Sequence, residues 1–213
     1  MFRLEILKEI STYLQQGRAK NVKTLVQEAL DSGIQAENIL TDGLLNGMDI
    51  IGEKFKNNEV YVPEVLVAAR AMNMGMEVLK PHLAEAGVEA KGKVVIGTVQ
   101  GDQHDIGKNL VKMMMEGKGL DVIDLGVDVP AESFIQAAID NNAQIIALSA
   151  LLTTTMVNIK SVVDKAKEMG VRDKVKIMIG GAPVTQEFCN EVGADCYRAD
   201  AASAADAAIE LIG

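Results

Sequence analysis

The sequence has no tryptophan and, in 213 residues, only two cysteines and two histidines. Cys189 and Cys196 are too few and too ordinarily spaced for a disulfide framework, so we expect free thiols and a cytoplasmic location. The N-terminal stretch MFRLEILKEI carries charges where a signal peptide would be apolar, and no later apolar run is long enough to span a bilayer. Lys and Arg do not cluster and the net charge is −9, which argues against nucleic acid and anionic membranes as partners.

Three common kinds of catalytic pattern are also missing. A zinc site needs three or four ligands, whereas His104 has only the distant His82 as a second histidine. No serine lies in a G-x-S-x-G pattern, and neither glycine-rich phosphate-binding pattern occurs at the first predicted strand. These absences argue against zinc catalysis, a serine nucleophile and a phosphate-binding loop.

Two halves of the chain have different hydrophobic periodicities, which predicts an α + α/β protein with domains at residues 1–88 and 89–213. In the first half apolar residues recur at steps of three and four, and short connections favour a four-helix bundle. In the second half the apolar runs VVIGTV, LDVIDL, IIALS and VKIMIG each precede a helical stretch, and a weaker fifth run lies near ADCY. This alternation predicts a five-stranded parallel sheet, most similar to the flavodoxin-like (Rossmann-like) strand order 2-1-3-4-5.

The loop after the first predicted strand, QGDQHDIG, places His104 between two carboxylates. In open parallel sheets, ligands bind at the carboxyl ends of the strands beside the switch point, where the loops SALLTTTM and GGAPVT should also open. Asp102 can accept a hydrogen bond from one ring nitrogen of His104 and leave the other as a metal donor. A single histidine suits a metal that brings most of its own ligands, as cobalt does in a corrin.

At these residues the sequence resembles the cobalamin-binding domains, which share the patterns D-x-H-x-x-G, S-x-L and G-G at set spacings. Here Asp102, His104 and Gly107 are followed by 41 residues, Ser149-Ala150-Leu151, 28 residues and Gly180-Gly181. The stretch GEKFKNNEVYVPEVLVAARAMNMGMEVLKP resembles the helical cap of methyltransferase corrinoid proteins. The likeness covers nearly the whole chain. It is closest to the small corrinoid proteins of methylamine- and methanol-type methyltransferase systems, and it extends to the cap and cobalamin-binding domains of methionine synthase.

The resemblance implies a base-off, His-on corrinoid, in which the benzimidazole tail leaves the cobalt and His104 becomes the lower axial ligand. Asp102 and then Thr155 would continue the hydrogen-bond chain from His104, with Thr155 where family members often have serine. These three residues are the implied catalytic set. The other implied cofactor contacts are Asp105, Ile106, Gly107, Ser149, Leu151, Thr153, Gly180, Gly181, Tyr197, Asp200 and Ala201, together with Phe55 and Val62 in the cap over the methyl-bearing face. Phe55 and Val62 also fit an ordinary bundle core, which is the expectation for Met72 and Met76.

The implied function is that of a methyl carrier, a non-autonomous subunit of a methyltransferase system. Co(I) would accept a methyl group from a methylamine, methanol or methoxy substrate on one methyltransferase. Methyl-Co(III) would donate it to a thiol or pterin acceptor on a second methyltransferase, and a reductive activase would be a further partner. The alternatives are a cobalamin-dependent sensor or regulator, which usually carries a tryptophan over the cobalt, and the small subunit of a cobalamin mutase, which normally lacks this helical cap.

Overall fold

The computed structural model describes the main chain of residues 2–213 and the side chains of residues 4–213. The chain folds as two units. One runs to Ala90 and includes residues 117–119, and the other comprises residues 91–116 and 120–213. Among the described residues, no helix is both long enough and apolar enough to cross a membrane.

The helical unit is built from amphipathic segments joined by short connections. They are α1 (Phe2–Gln15), α2 (Ala19–Asp31), α3 (Ala36–Asn38), a π-helical stretch (Ile39–Leu45), α4 (Asn46–Lys56) and α5 (Val62–Glu85). Because α3, the π-helical stretch and α4 follow one another without a break, residues 36–56 form one continuous helical segment. Within the described residues the unit therefore has the four-helix arrangement that the sequence predicts, and that prediction is confirmed.

Apolar faces at helical spacing hold this unit together. Helix α5 packs against α2, while α1 packs against α2 and α4. The side chains of Val22, Val26 and Val65 are wholly buried, and Met72 is only 5% exposed, so Met72 belongs to the core as expected. Burial of each such side chain contributes about 1.5–3 kcal/mol, which is more than the intrinsic helix propensity of these residues supplies.

The second unit alternates strands and helices. Its strands are β1 (Lys93–Thr98), β2 (Asp121–Asp124), β3 (Ile145–Ser149), β4 (Lys176–Gly180) and β5 (Cys196–Tyr197), and its helices are α6 (Ile106–Gly117), α7 (Ala131–Asn141), α8 (Val157–Glu168), α9 (Gln186–Val192) and α10 (Ala201–Ile212). The described strands form one parallel sheet in the order β2-β1-β3-β4-β5, which confirms the predicted flavodoxin-like topology. Branched apolar side chains such as Ile146 and Ile177 are fully buried, as expected for strands covered on both faces.

The register of the sheet brings three strand ends to the same level. Thr98 of β1 is paired with Ser149 of β3, and Ser149 is paired with Gly180 of β4. The loops that follow these residues therefore leave the sheet side by side at the switch point between β1 and β3. Any site at this edge can draw residues from all three loops.

Candidate functional site

The loop that follows β1 is organised around the carboxylate of Asp102. This side chain is completely buried. Its Oδ1 accepts the main-chain N–H of His104 at 3.1 Å and lies 2.6 Å from Nδ1 of the His104 ring. Its Oδ2 accepts the hydroxyl of Thr155 at 2.6 Å and the main-chain N–H of Leu151 at 2.8 Å. The structure thus brings the three predicted residues Asp102, His104 and Thr155 into one hydrogen-bonded chain.

The electrostatics of Asp102 decide which ring nitrogen of His104 is available. Burial by itself raises the pKa of Asp102, but the hydrogen bonds from Thr155, Leu151 and His104 outweigh burial and hold that pKa well below its usual range. The carboxylate is therefore ionised and can only accept, so Nδ1 of His104 carries the hydrogen and donates it. The other ring nitrogen, Nε2, presents its lone pair from a side chain that is 51% exposed. A ring oriented in this way is suited to bind a metal ion.

Hydrogen bonds from neighbouring segments also hold the main chain of this loop. The buried hydroxyl of Thr98 donates to the carbonyl oxygen of His104 at 2.8 Å. Asp128 accepts the N–H of Gly101 at 2.7 Å, and its own N–H donates to the carbonyl oxygen of Asp102 at 2.9 Å. The side-chain amide of Asn158 donates to the carbonyl oxygen of Gln100 at 2.7 Å. These supports are not among the residues predicted from the sequence, although Thr98, a threonine that ends a buried strand just before the loop, is a signal for them.

The three glycines of the motif differ in the space around them. A Cβ added to Gly107 would meet no atom within 4 Å, and one added to Gly180 would meet only the carbonyl oxygen of Arg198, at 3.6 Å. A Cβ on Gly181 would lie 1.8 Å from the carbonyl oxygen of Ala150, and Gly181 has a φ of +128°. The protein's own backbone therefore requires glycine at 181, whereas it leaves free room at 107 and 180.

Exposed apolar side chains flank the histidine loop. Ile106 at the start of α6 is 77% exposed, and Leu151, at the site of the Asp102 hydrogen bond, is 41% exposed. Leu152 and Val157, which are not among the residues predicted from the sequence, are 43% and 59% exposed. Such side chains beside a half-exposed histidine suit a large ligand with an apolar face.

The remaining predicted residues occupy several places in the sheet unit. Ser149 is half-buried at the end of β3, and Thr153 is exposed in the loop that follows. Tyr197 ends β5 and is half-buried. Asp200 caps α10 by accepting the N–H of Ser203 at 2.8 Å, and the next residue, Ala201, is buried.

Asp105, Phe55 and Val62 complete the predicted set. Asp105 is exposed, and its side chain accepts the side-chain amide of Asn109 at 3.2 Å. In the helical unit, Phe55 lies near the end of α4 and Val62 begins α5, and both are half-buried. His82, the second histidine, is exposed in the last turn of α5.

The donor set of the described residues fits a metal that carries its own ligands. Within that part of the chain, no group of three or more His, Cys, Asp and Glu side chains could hold a metal ion by itself. An open groove of about 690 Å³ in the helical unit, lined by residues that include Leu7, Ile34 and Asn46, contains none of the candidate residues. The fold and site together define an α/β protein of the kind that binds a cofactor at the switch point, with a helical companion unit and one half-exposed histidine at that point.

Comparisons with known proteins identify the family. A family model described as B12 binding domain matches residues 92–209, and a second model of the same description matches residues 6–80. The chain is 47% identical over 175 residues to trimethylamine corrinoid protein 1 of Methanosarcina acetivorans, a match that covers 81% of each chain. It is 40% identical over 213 residues to the dimethylamine corrinoid protein of Methanosarcina barkeri, covering 100% of each. The crystal structure of the methanol:cobalamin methyltransferase complex MtaBC from Methanosarcina barkeri matches with a TM-score of 0.89 at 32% identity, over 98% of this chain and 80% of that chain.

The chain belongs to the B12-binding domain family, and the resemblance recognised in its sequence is confirmed. The two family models fall on the two halves that differ in hydrophobic periodicity. The similarity to the trimethylamine and dimethylamine corrinoid proteins extends across both of these halves.

Proposed function

We propose that this protein is a corrinoid methyl carrier of a methyltransferase system. Its cofactor is a cobalamin or a related corrinoid, as the B12-binding models and the corrinoid relatives support. The observation that carries the proposal is the half-exposed His104, whose Nδ1 is committed to the ionised Asp102 and whose Nε2 is left for a metal. None of the relatives described above is named as a sensor or a mutase, so the carrier is the function that we retain.

The residues at the switch point fit such a cofactor. His104 would supply the lower axial ligand, while Gly107 and Gly180 leave space that the protein itself does not fill. Ile106 and Leu151 offer exposed apolar surface to the macrocycle. Ser149, Thr153, Tyr197, Asp200 and Ala201 are proposed to line the place of the benzimidazole tail, with Asp105 and Gly181 at its margins.

When bound, the corrinoid supplies a cobalt that takes a methyl group from a substrate and yields it to an acceptor. The contribution of the chain is to hold His104 in one tautomer and one orientation. Asp102 accepts from Nδ1 of His104, which raises the donor strength of Nε2, and Thr155 in turn holds Asp102 through its hydroxyl. Thr155 keeps the hydroxyl that this position requires.

The helical unit is proposed as a cap that shields the upper face of the cofactor. Residues 1–88 would serve as the cap and residues 89–213 as the cofactor-binding domain. Phe55 and Val62, which are half-buried, would contact the methyl-bearing face. Because a partner enzyme would need to reach that face, we propose that the cap moves during the cycle.

A methyltransferase is the partner that the family relationship supports, since the matching crystal structure, MtaBC from Methanosarcina barkeri, is a methanol:cobalamin methyltransferase complex. We further propose a second methyltransferase for the acceptor and a reductive activase that restores the reactive cobalt state. A cytoplasmic location is proposed because Cys189 and Cys196 are both buried free thiols.

The metal ligand can be tested with nitrogen isotopes. Protein labelled with ¹⁵N-histidine and loaded with unlabelled corrinoid should change the electron paramagnetic resonance splitting of the Co(II) form from the ¹⁴N pattern to the ¹⁵N pattern. His104→Ala should abolish the protein-derived splitting, and His82→Ala is the matched control that should retain it. Splitting that is unaffected by the label would contradict His104 as the axial ligand.

The carrier function needs a separate test with donors and partners. The loaded and reduced protein would be mixed with candidate methyltransferases and with methylated amines, methanol or methoxy compounds in turn. We expect one donor to convert the absorbance spectrum to that of the methylated cofactor, and a second methyltransferase with its acceptor to reverse the change. A complete panel without any conversion would count against a methyl carrier.

A further inference from the structure

An ion pair between a buried lysine, Lys108, and a partly exposed aspartate, Asp124, lies beside the histidine loop and has no part in the site described above. Lys108, in the first turn of α6, is only 3% exposed. Its Nζ donates to both carboxylate oxygens of Asp124, each at 2.7 Å, and to the side-chain oxygen of Asn109 at 2.7 Å. Lys112, one turn further along α6, lies 3.4 Å from the same carboxylate. Lys108, four residues after His104, thus ties the start of α6 to the end of β2.

The carboxylate of Asp124 is held in its charged form. Burial alone raises the pKa of Asp124, but the hydrogen bonds from Lys108 and from the main chain of Gly126, with the charges of Lys108 and Lys112, together outweigh burial and lower that pKa below its ordinary value. Asp124 also accepts the main-chain N–H of Gly126 at 2.9 Å. An ion pair of this kind gives little net stability, but breaking it leaves one buried charge uncompensated, which fixes its geometry strongly.

The ion pair is connected to His104 by a second route, through the sheet. The carbonyl oxygen of Gly126, whose N–H is bound by Asp124, accepts the main-chain N–H of Thr98 at 2.9 Å. The hydroxyl of Thr98 then donates to the carbonyl oxygen of His104 at 2.8 Å. The ion pair is therefore linked to the histidine loop at two points, the loop's exit into α6 and the carbonyl oxygen of His104.

We propose that Lys108 and Asp124 are positioning residues for His104, which set how completely its imidazole reaches the cobalt. Asp102 fixes the ring and its tautomer, whereas the ion pair fixes the height of the loop above the sheet edge. Asp102 contacts the ring nitrogen and the main-chain N–H of His104, whereas the route from the ion pair reaches the carbonyl oxygen of His104 through Gly126 and Thr98. This inference rests on the proposed function for its cobalt readout, but the coupling within the loop exists without the cofactor.

A second ion pair, at the amino ends of strands β4 and β5 in the same sheet, serves as a matched control. Nη1 of Arg172 lies 3.0 Å from Oδ2 of Asp195, and the two side chains are 19% and 22% exposed. Asp195 accepts the main-chain N–H of Ile177 at 2.7 Å, much as Asp124 accepts that of Gly126. Since Asp195 precedes β5 and Ile177 lies near the start of β4, this pair is at the amino edge, away from the histidine loop.

The experiment compares Asp124→Asn with Asp195→Asn in the full chain. The first readout is the ratio of histidine-coordinated to uncoordinated Co(II), measured by electron paramagnetic resonance. For Asp124→Asn we expect this ratio to fall by about tenfold, the lower end of the range for outer-shell partners of metal ligands. For Asp195→Asn we expect no change. Equal ratios in the two variants would overturn the proposal.

The second readout uses the protein without cofactor. Amide hydrogen exchange at Thr98 and His104, whose main-chain N–H groups donate to Gly126 and Asp102, should be faster in Asp124→Asn and unchanged in Asp195→Asn, even if the two variants lose similar global stability. If Asp124→Asn does not fold, the double substitution Lys108→Met with Asp124→Leu, which leaves no buried charge, takes its place. Wild-type protein that showed no histidine coordination would contradict the proposed function, whereas unchanged exchange in Asp124→Asn would contradict the positioning role.

Discussion

Gly180 and Gly181 adjoin in the chain but should respond in opposite ways to alanine. At Gly181 the new Cβ would lie 1.8 Å from the carbonyl oxygen of Ala150, and the φ of +128° is one that L-residues rarely adopt. Backbone strain of this kind costs about 1–3 kcal/mol. Relieving a steric overlap in a packed region costs about 1–3 kcal/mol more. Gly181→Ala should therefore lower the free energy of unfolding by about 2–6 kcal/mol.

At Gly180 the new Cβ would make one contact at 3.6 Å, which is ordinary van der Waals separation, and φ is not positive. The stability of the cofactor-free protein should stay within about 1 kcal/mol of wild type, since replacing a glycine in an accessible conformation even restricts the unfolded chain. Corrinoid affinity should nevertheless fall. A methyl group forced into the place of the tail costs about 1–3 kcal/mol, or about 5- to 150-fold in Kd.

The assay pairs urea unfolding of the cofactor-free proteins with corrinoid titration followed by absorbance. Gly170→Ala serves as the control for backbone strain alone, because Gly170 has a φ of +68° and a Cβ there meets no atom within 4 Å. If Gly181→Ala loses no more stability than Gly170→Ala, the clash with Ala150 is not as described. If Gly180→Ala binds the corrinoid as tightly as wild type does, the tail does not lie against Gly180.

Three further predictions concern the support of His104, the cap and acid stability. Thr155→Val removes the hydroxyl that donates to Asp102 and should lower the free energy of unfolding by about 1.5–3 kcal/mol. Thr155→Ser keeps a hydroxyl and should retain most of that stability. Equal losses of unfolding free energy in the two variants would contradict this role. Phe55→Ala should speed photolysis or oxidation of the bound corrinoid without large loss of affinity, and unchanged rates would return Phe55 to the bundle core. Because the pKa of Asp124 is lowered on folding, its stabilisation is complete above the unfolded-state value and is lost as the pH falls below about 4. Asp124→Asn should therefore reduce the slope of unfolding free energy against pH in that range, and an unchanged slope would refute the assignment.

Much of the fold could be predicted because hydrophobic periodicity carries it. Continuous apolar runs predict the strands β1, β3 and β4. The run ADCY predicts even the two-residue strand Cys196–Tyr197. The π-helical stretch Ile39–Leu45 was not predicted, since a change in main-chain hydrogen bonding leaves the apolar pattern almost unaltered. The alternation of strands and helices predicts a parallel sheet but not its strand order. The order 2-1-3-4-5 is an expectation from similarity to flavodoxin-like sheets, and the sheet has that order.

The site residues that belong to the sequence motif can be predicted, whereas those that meet only through tertiary contacts cannot. Asp102, His104 and Thr155 followed from spacing and resemblance. Lys108 and Asp124 did not, because a lysine in a first helical turn is ordinarily solvated, and only the sheet brings β2 against α6. The sequence also makes Gly180 and Gly181 equivalent, whereas the carbonyl oxygen of Ala150 separates them.

The hydrogen bonds that converge on Asp102 also determine when the site can form during folding. His104 is a local donor, but the donors at residues 151 and 155 lie about 50 residues further along the chain, so the carboxylate cannot be fully satisfied before β1 and β3 have paired. On the ribosome, no chain shorter than 155 residues has the hydroxyl that completes the set. A chain truncated before Thr155 should therefore not retain a corrinoid. Binding of the cofactor would then indicate that the sheet has already assembled.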